Sequence, residues 1–230
     1  MLIYVTRHGQ PDLDQVSWTE NPDVPLCDPI LTEKGRIQAK YLGQSLKQKR
    51  FNGLIISSPY RRTLETSQII AEQTNSVIIV ESAIQEVITE SGIPDFKILN
   101  IEQIKQLYNN VSQDCTMPYP WLSRGPEALE EVKKRIAPFL KQLFKSNPPD
   151  AEVLLVGHGA SVHACKELLL KSNFDKNIPE KHNWNCSISS YILNSSGNME
   201  KYELFNIEHM PENIITSNRR LYSMELQYGS

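Results

Sequence analysis

Leu2-Ile3-Tyr4-Val5-Thr6-Arg7-His8-Gly9 decides how the rest of the chain is read. Apolar and β-favouring residues run straight into two nitrogen-rich side chains and a glycine, the pattern of a buried strand that stops where the backbone is free to turn. The pattern returns at Val153-Leu154-Leu155-Val156, which runs into Gly157, His158 and Gly159. A third apolar run, Leu54-Ile55-Ile56, ends in Ser57, Ser58 and Pro59, with Arg61 and Arg62 just beyond. In an open α/β sheet the ligand crevice lies outside the carboxyl ends of the strands. Three parallel strands with these endings would bring two histidines and two or three arginines into one crevice, which is a pocket for a phosphate.

Outward from these strands, Leu31-Thr32 opens a helix with Thr32 as its N-cap and Ile37, Leu42 and Leu46 near one face. Ser58-Pro59 reads as an N-cap followed by proline at the first helical position. Arg61 and Arg62 would then sit in the first turn, where a cation opposes the helix dipole unless an anion lies beside it. Val77 to Val80 is a further strand, leading to Ile84, Glu86 and Glu90. Ile101, Ile104, Leu107 and Val111 keep helical spacing, as do Leu129, Val132, Ile136, Phe139, Leu140 and Leu143, where Pro138 is expected to kink the helix. After a helix over 160–170, residues 187–193 and 202–205 flank Asn194-Ser195-Ser196-Gly197 as a closing hairpin. Asn185 precedes that hairpin and is expected to fix a turn. The tail from Asn206 is polar and predicts no element.

Alternating strands and helices with a terminal hairpin predict an α/β fold, a three-layer α/β/α sandwich with a mostly parallel central sheet. The length of 230 residues suits a single domain spanning 1–230. Cap-like insertions are expected at about 10–30 and 87–125, with Trp18 and Trp121 framing the crevice.

Charged residues are 22% of the chain and the net charge is −3, so no general basic surface for nucleic acid or an acidic membrane is expected. The four cysteines, at 27, 115, 165 and 186, lack paired metal-ligand spacing and suggest neither zinc nor disulfides. A reduced, cytoplasmic setting is expected. The first strand starts almost at Met1, so no signal peptide is expected, and no apolar run approaches membrane-spanning length.

Phosphoryl transfer asks a protein for positioning and for stabilisation of charged oxygens. Arginine supplies forked donors for a phosphate, and a neutral histidine can attack phosphorus through a ring nitrogen. On this reasoning either His8 or His158 could attack. A carboxyl group must also protonate the leaving oxygen, and Glu86 or Glu90 is placed to do it.

These residues resemble the histidine phosphatase superfamily, also called phosphoglycerate-mutase-like. Its Arg-His-Gly signature matches Arg7, His8 and Gly9, and its Leu-Thr-x-x-Gly-x-x-Gln-Ala segment matches Leu31, Thr32, Gly35, Gln38 and Ala39. Its Ser-Pro-x-x-Arg-x-x-x-Thr segment matches Ser58, Pro59, Arg62 and Thr66, and its late strand before His-Gly matches His158 and Gly159. The resemblance implies a phosphomonoester phosphatase in which His8 becomes a phosphohistidine. Arg7, Arg62, His158 and Gly159 would hold the phosphoryl group and Glu86 would be the acid, its pKa raised by burial beside the dianion. No metal or cofactor is implied. The substrate would be a phosphorylated small molecule or a phosphopeptide.

The family's mutase branch carries Glu-Arg-His-Tyr-Gly at the acid, whereas Glu86-Val87-Ile88-Thr89-Glu90 here has none of those partners. A mutase is thereby disfavoured, and so is a phosphate-binding domain without turnover, since every catalytic position is filled. The long first loop and the 101–122 segment resemble the branch with protein-tyrosine-type and steroid-phosphate phosphatases, but Gln10-Pro11 replaces that branch's Glu-Arg. Arg61 is expected to face solvent, and His163, His182 and His209 to be structural.

Overall fold

The computed structural model describes residues 1–13, 28–87, 98–116, 127–170 and 183–217. Among them, six strands form one sheet: β1 (Leu2–Arg7), β2 (Leu54–Ser57), β3 (Ile78–Val80), β4 (Glu152–Gly157), β5 (Ile188–Leu193) and β6 (Met199–Asn206). Their order across the sheet is β3-β2-β4-β1-β5-β6. The first four strands run parallel, and β5 and β6 pair antiparallel beyond β1. Five helices are described: α1 (Glu33–Gln48), α2 (Arg61–Thr74), α3 (Ile101–Leu107), α4 (Leu129–Ser146) and α5 (Gly159–Leu170).

The chain lays down β1, β2 and β3 in one direction and then returns to insert β4 between β2 and β1. Right-handed crossovers made in opposite directions put their helices on opposite faces of a sheet. Accordingly, Tyr4, Ile55, Leu154 and Val156 share one core with Leu42 and Leu46 of α1 and Leu64 and Ile70 of α2. Their strand neighbours Ile3, Val5, Ile56, Val153 and Leu155 face the other way, onto Val132, Ile136 and Leu140 of α4 and Val162 and Cys165 of α5. The result is the three-layer sandwich that the alternating pattern implies. The reversal also makes the gap between the ends of β1 and β4 the switch point, where a crevice opens.

Local signals held where the partner is close in sequence. Thr32 caps α1, its hydroxyl accepting from Gly35 N at 3.0 Å. The β5–β6 turn has Gly197 at φ 77°, and the Asn194 side chain accepts from the backbone of Ser196 and Asn198. Helix α4 runs through Pro138.

Two expectations are corrected, and part of the polar tail gains a place. Helix α2 starts at Arg61 after Tyr60, so Ser58 is not its N-cap. Ser58 instead turns its hydroxyl toward His158, and the buried Asp28 side chain accepts from Arg61 N at 2.7 Å. Val111 lies past the end of α3 and bridges to Ile78, while Leu107 is 56% exposed. Ile78 N donates to Asn110 O and Ser112 N donates to Ile78 O, so this stretch extends the sheet at the β3 edge. Leu99, Ile104, Tyr108, Val111 and Cys115 thus join the α1–α2 core. Finally, the chain after β6 is anchored: Met210 is buried, and Gln38 of α1 donates to Ile214 O. Trp18, Glu90, Trp121 and His182 lie outside the described residues, as do most of 10–30 and much of 87–125. Among the described residues no helix is long and apolar enough to cross a membrane.

Candidate active site

Parallel pairing sets Arg7 opposite Gly157, so the next residues of β1 and β4, His8 and His158, leave the sheet side by side with ring centroids 5.3 Å apart. The end of β2 lies beside β4 and delivers Ser58, then Arg62 from the first turn of α2. A single 3₁₀ turn after β3, Ser82–Ile84, brings up Glu86. Two glycines permit the packing at the β1 end: a Cβ on Gly9 would collide with the backbone of Gly35, and one on Gly35 with that of Gln10. Glycine is required at both by close approach of the main chains.

Each ring nitrogen has a defined partner. His8 Nδ1 lies 2.7 Å from Gly9 O. A carbonyl only accepts, so Nδ1 carries the proton and Nε2 keeps its lone pair. Arg62 Nε donates to that Nε2 at 3.3 Å, and Arg62 Nη2 lies 3.3 Å from Glu86 Oε2. His158 Nδ1 is 3.2 Å from Glu86 Oε2, while its Nε2 is 2.8 Å from Ser58 Oγ. Arg7 reaches Asn183 O through Nη1 at 3.0 Å. Gly159 begins α5, accepts from Asn183 Nδ2 at 3.2 Å, and has open space where a Cβ would stand.

Burial, then the charges of Arg62, Arg7 and His158, push the His8 pKa well below the ordinary histidine range. Burial likewise pushes His158 down to about 4, against the pull of Glu86. Both rings are therefore neutral at pH 7, and the positive charge of the site belongs to the arginines. For Glu86, burial acts upward but is outweighed by its contacts with His158 and then Arg62, which hold the carboxyl well below its usual range. The His158 ring and the Arg62 guanidinium beside the carboxylate both favour its ionised form; the upward shift expected beside a phosphate dianion concerns the complex with substrate.

Residues behind the site also act. Asp28 is fully buried, with Arg61 Nε 3.7 Å and Arg62 Nη1 3.9 Å from its oxygens. Arg61, expected in solvent, is instead drawn to this carboxylate. Burial pushes Asp28 up to about 6, against Arg62 and the hydrogen bond from Arg61. Since its folded pKa lies above the unfolded value, the folded state holds its proton longer, and stability falls as pH rises through that interval. Two units correspond to about 3 kcal/mol. In urea melts, the stability of Asp28→Asn relative to wild type should rise by up to that amount between about pH 4 and about pH 7; a flat difference would refute the assignment.

Arg135 of α4 grips the turn that carries Glu86, donating to Ala83 O and, at 3.0 Å, to Gln85 O, while Glu127 fixes its guanidinium through two bonds of 3.0 Å. Thr66, on the helix face below Arg62, accepts from Gly9 N at 3.0 Å. Asn185 donates to His8 O at 3.0 Å, so it fixes the strand end that precedes the histidine's own turn.

Residues 3–207 match the family model of the histidine phosphatase superfamily, branch 1. The chain belongs to that superfamily. It is 30% identical over 176 residues to glucosyl-3-phosphoglycerate phosphatase of Mycobacterium tuberculosis, spanning 74% of this chain and 75% of that protein. It is 28% identical over 175 residues to phosphoserine phosphatase 1 of Hydrogenobacter thermophilus, spanning 76% and 78%. Among solved structures, the ecdysone phosphate phosphatase of Bombix mori in complex with tungstate superposes with a TM-score of 0.69 over 94% of this chain and 96% of that one. Identity there is 17%, a likeness of fold.

In this histidine phosphatase, His8, Glu86 and His158 offer ligand atoms within 4.8 Å of one another, a set that a metal ion could use. Arg62 touches two of the three, His8 and Glu86, at 3.3 Å, so a cation there would meet a fixed positive charge and an anion would be welcomed. Of the residues read from the sequence, His8, Arg62, Glu86 and His158 are joined by direct contacts, with Arg7 and Gly159 linked through Asn183. His163 packs against Phe205, and His209 Nε2 lies 3.1 Å from Cys186 O, both away from these contacts.

Proposed function

We propose that this protein is a phosphomonoester phosphatase in which Nε2 of His8 takes the phosphoryl group. The observation that carries the reading is the His8 tautomer: Nδ1 is held by Gly9 O, which leaves Nε2 unprotonated, its electron pair facing only the Arg62 donor. Nε2 attacks phosphorus as the ester P–O bond breaks, and Glu86 gives its proton to the departing oxygen. Water then attacks the phosphohistidine, its proton passes to Glu86, and the P–N bond breaks to release inorganic phosphate. Arg7, Arg62, His158 and the backbone at Gly159 hold the phosphoryl oxygens, which take over donors of Arg62 that bond His8 and Glu86.

The names of the relatives support phosphorylated small molecules as the substrate class. We treat the chain as one domain acting in the cytoplasm, a reading supported by two cores sharing one sheet and by free thiols at Cys115, Cys165 and Cys186.

Inorganic phosphate should appear from p-nitrophenyl phosphate with multiple turnovers, at a rate unchanged by a chelator such as EDTA. No release, or release abolished by chelation and restored by a divalent cation, would overturn the reading. Interconversion of phosphoglycerates faster than their hydrolysis would favour a mutase.

A further inference from the structure

The His8 backbone is held on both flanks by side chains that converge on the C-terminal segment. His8 N still takes part in strand pairing, donating to Gly157 O at 3.0 Å. Beyond that bond the sheet ends, and side chains take over. Asn185 Nδ2 donates to His8 O at 3.0 Å, and Gln38 Oε1 accepts from Gln10 N at 2.8 Å. Between these two contacts lies Gly9 O, the acceptor that sets the His8 tautomer.

Both amides are fully buried, and each has one end committed to the main chain around His8. Gln38 must accept from Gln10 N, so its NH₂ is left to donate; Asn185 must donate to His8 O, so its oxygen is left to accept. One group can satisfy both remainders at once, a hydroxyl that accepts from the first and donates to the second. Thr216 is that group: Gln38 Nε2 donates to its Oγ1 at 2.7 Å, and the hydroxyl donates to Asn185 Oδ1 at 3.1 Å. The segment is pinned by Asn185 N donating to Thr216 O at 2.9 Å and by Gln38 Nε2 donating to Ile214 O at 2.8 Å.

We infer that Thr216 is a positioning residue for His8, locking the orientation of the Gln38 and Asn185 amides so that the C-terminal segment sets the rate of phosphoryl transfer to Nε2. Without the hydroxyl, Gln38 Nε2 keeps Ile214 O but Asn185 Oδ1 loses its donor, so the Asn185 amide above all is free to rotate and release the His8 peptide it holds. The inference rests on the phosphohistidine reading above. It predicts an effect on the chemical step, because the hydroxyl of Thr216 bonds Gln38 and Asn185 rather than the residues proposed to hold the phosphoryl oxygens.

The test is single-turnover phosphorylation of Thr216→Val, which keeps the shape and removes the hydroxyl, beside wild type and Thr216→Ser. A misplacement of about 1 Å can cost roughly 10²-fold, so a smaller shift should slow phosphoenzyme formation in the valine variant by about 10-fold. KM should stay near the wild-type value, and the serine variant should recover the rate. A merely structural role would lower the melting temperature and leave the rate of the folded enzyme unchanged. If Thr216→Val fails to fold, Thr216→Cys takes its place, since a thiol bonds only weakly. Wild-type phosphorylation rates in a folded valine or cysteine variant overturn the inference while leaving the phosphohistidine reading intact. A wild-type enzyme that turns over without forming any phosphoenzyme overturns both.

Discussion

Replacing His8 with alanine is expected to remove turnover and the phosphoenzyme together. Of the two histidines that leave the sheet side by side, His158 has both ring nitrogens engaged, by Ser58 Oγ at 2.8 Å and by Glu86 Oε2 at 3.2 Å. His8 has its Nδ1 proton committed to a carbonyl and its Nε2 pair facing only a donor, Arg62. An arginine gives up a nitrogen acceptor readily when phosphoryl oxygens offer bidentate, charge-assisted bonds. The His8 variant therefore lacks a substitute nucleophile in reach, and the loss should be about 10⁴-fold or more, as for other enzymes stripped of theirs. Rapid quench with a labelled substrate should trap an acid-labile, base-stable adduct in wild type and none in the variant. A variant that keeps even a tenth of the activity, or an adduct that survives His8→Ala, would move the chemistry elsewhere.

Strand patterning made most of the fold and the core of the site legible, because the runs at 2–6, 54–56 and 153–156 each end in the residues that the sheet then aligns. Contacts between side chains far apart in the chain left no such trace. Capping rules look a few residues ahead, so Ser58-Pro59 reads as a helix start, whereas the acceptor for Arg61 N is Asp28, 33 residues earlier. Ser58 instead meets the outer nitrogen of His158, a role that neither periodicity nor its place at the start of the Ser-Pro-x-x-Arg segment announces. The 101–111 segment shows the same limit in another form. Its spacing reveals an apolar face but not what that face meets, which proved to be the main core beside β3. Gln38 falls within a family motif and Asn185 and Thr216 within none, yet the three act as one unit because tertiary structure brings α1, the β5 approach and the chain after β6 together.

Glu86→Gln should separate an acid from a mere neighbour of the phosphate through the identity of the leaving group. His158 and Arg62 outweigh burial and favour the ionised form of Glu86, so at neutral pH the carboxylate by itself holds no proton to give. The proton must be acquired with the substrate. A dianionic ester placed beside the carboxylate raises its proton affinity, and a monoanionic ester brings a proton that the carboxylate can accept; the two routes have the same overall charge. Because the phosphate loses its second proton near about pH 6, kcat/KM should fall as pH rises above that region. An alkoxide, whose conjugate acid is very weak, depends on donation in the transition state, and general acid catalysis is typically worth about 10²–10⁴-fold. Glu86→Gln should slow alkyl phosphates within that range and p-nitrophenyl phosphate far less, since its phenolate leaves without help. Glu86 also takes a proton from water in the second step, so the variant should accumulate phosphoenzyme with the aryl substrate and hide the difference in steady state. Single-turnover rates of phosphoenzyme formation avoid this. Equal losses for both leaving groups would reduce Glu86 to a binding role, and the same comparison at Glu90 would then locate the acid.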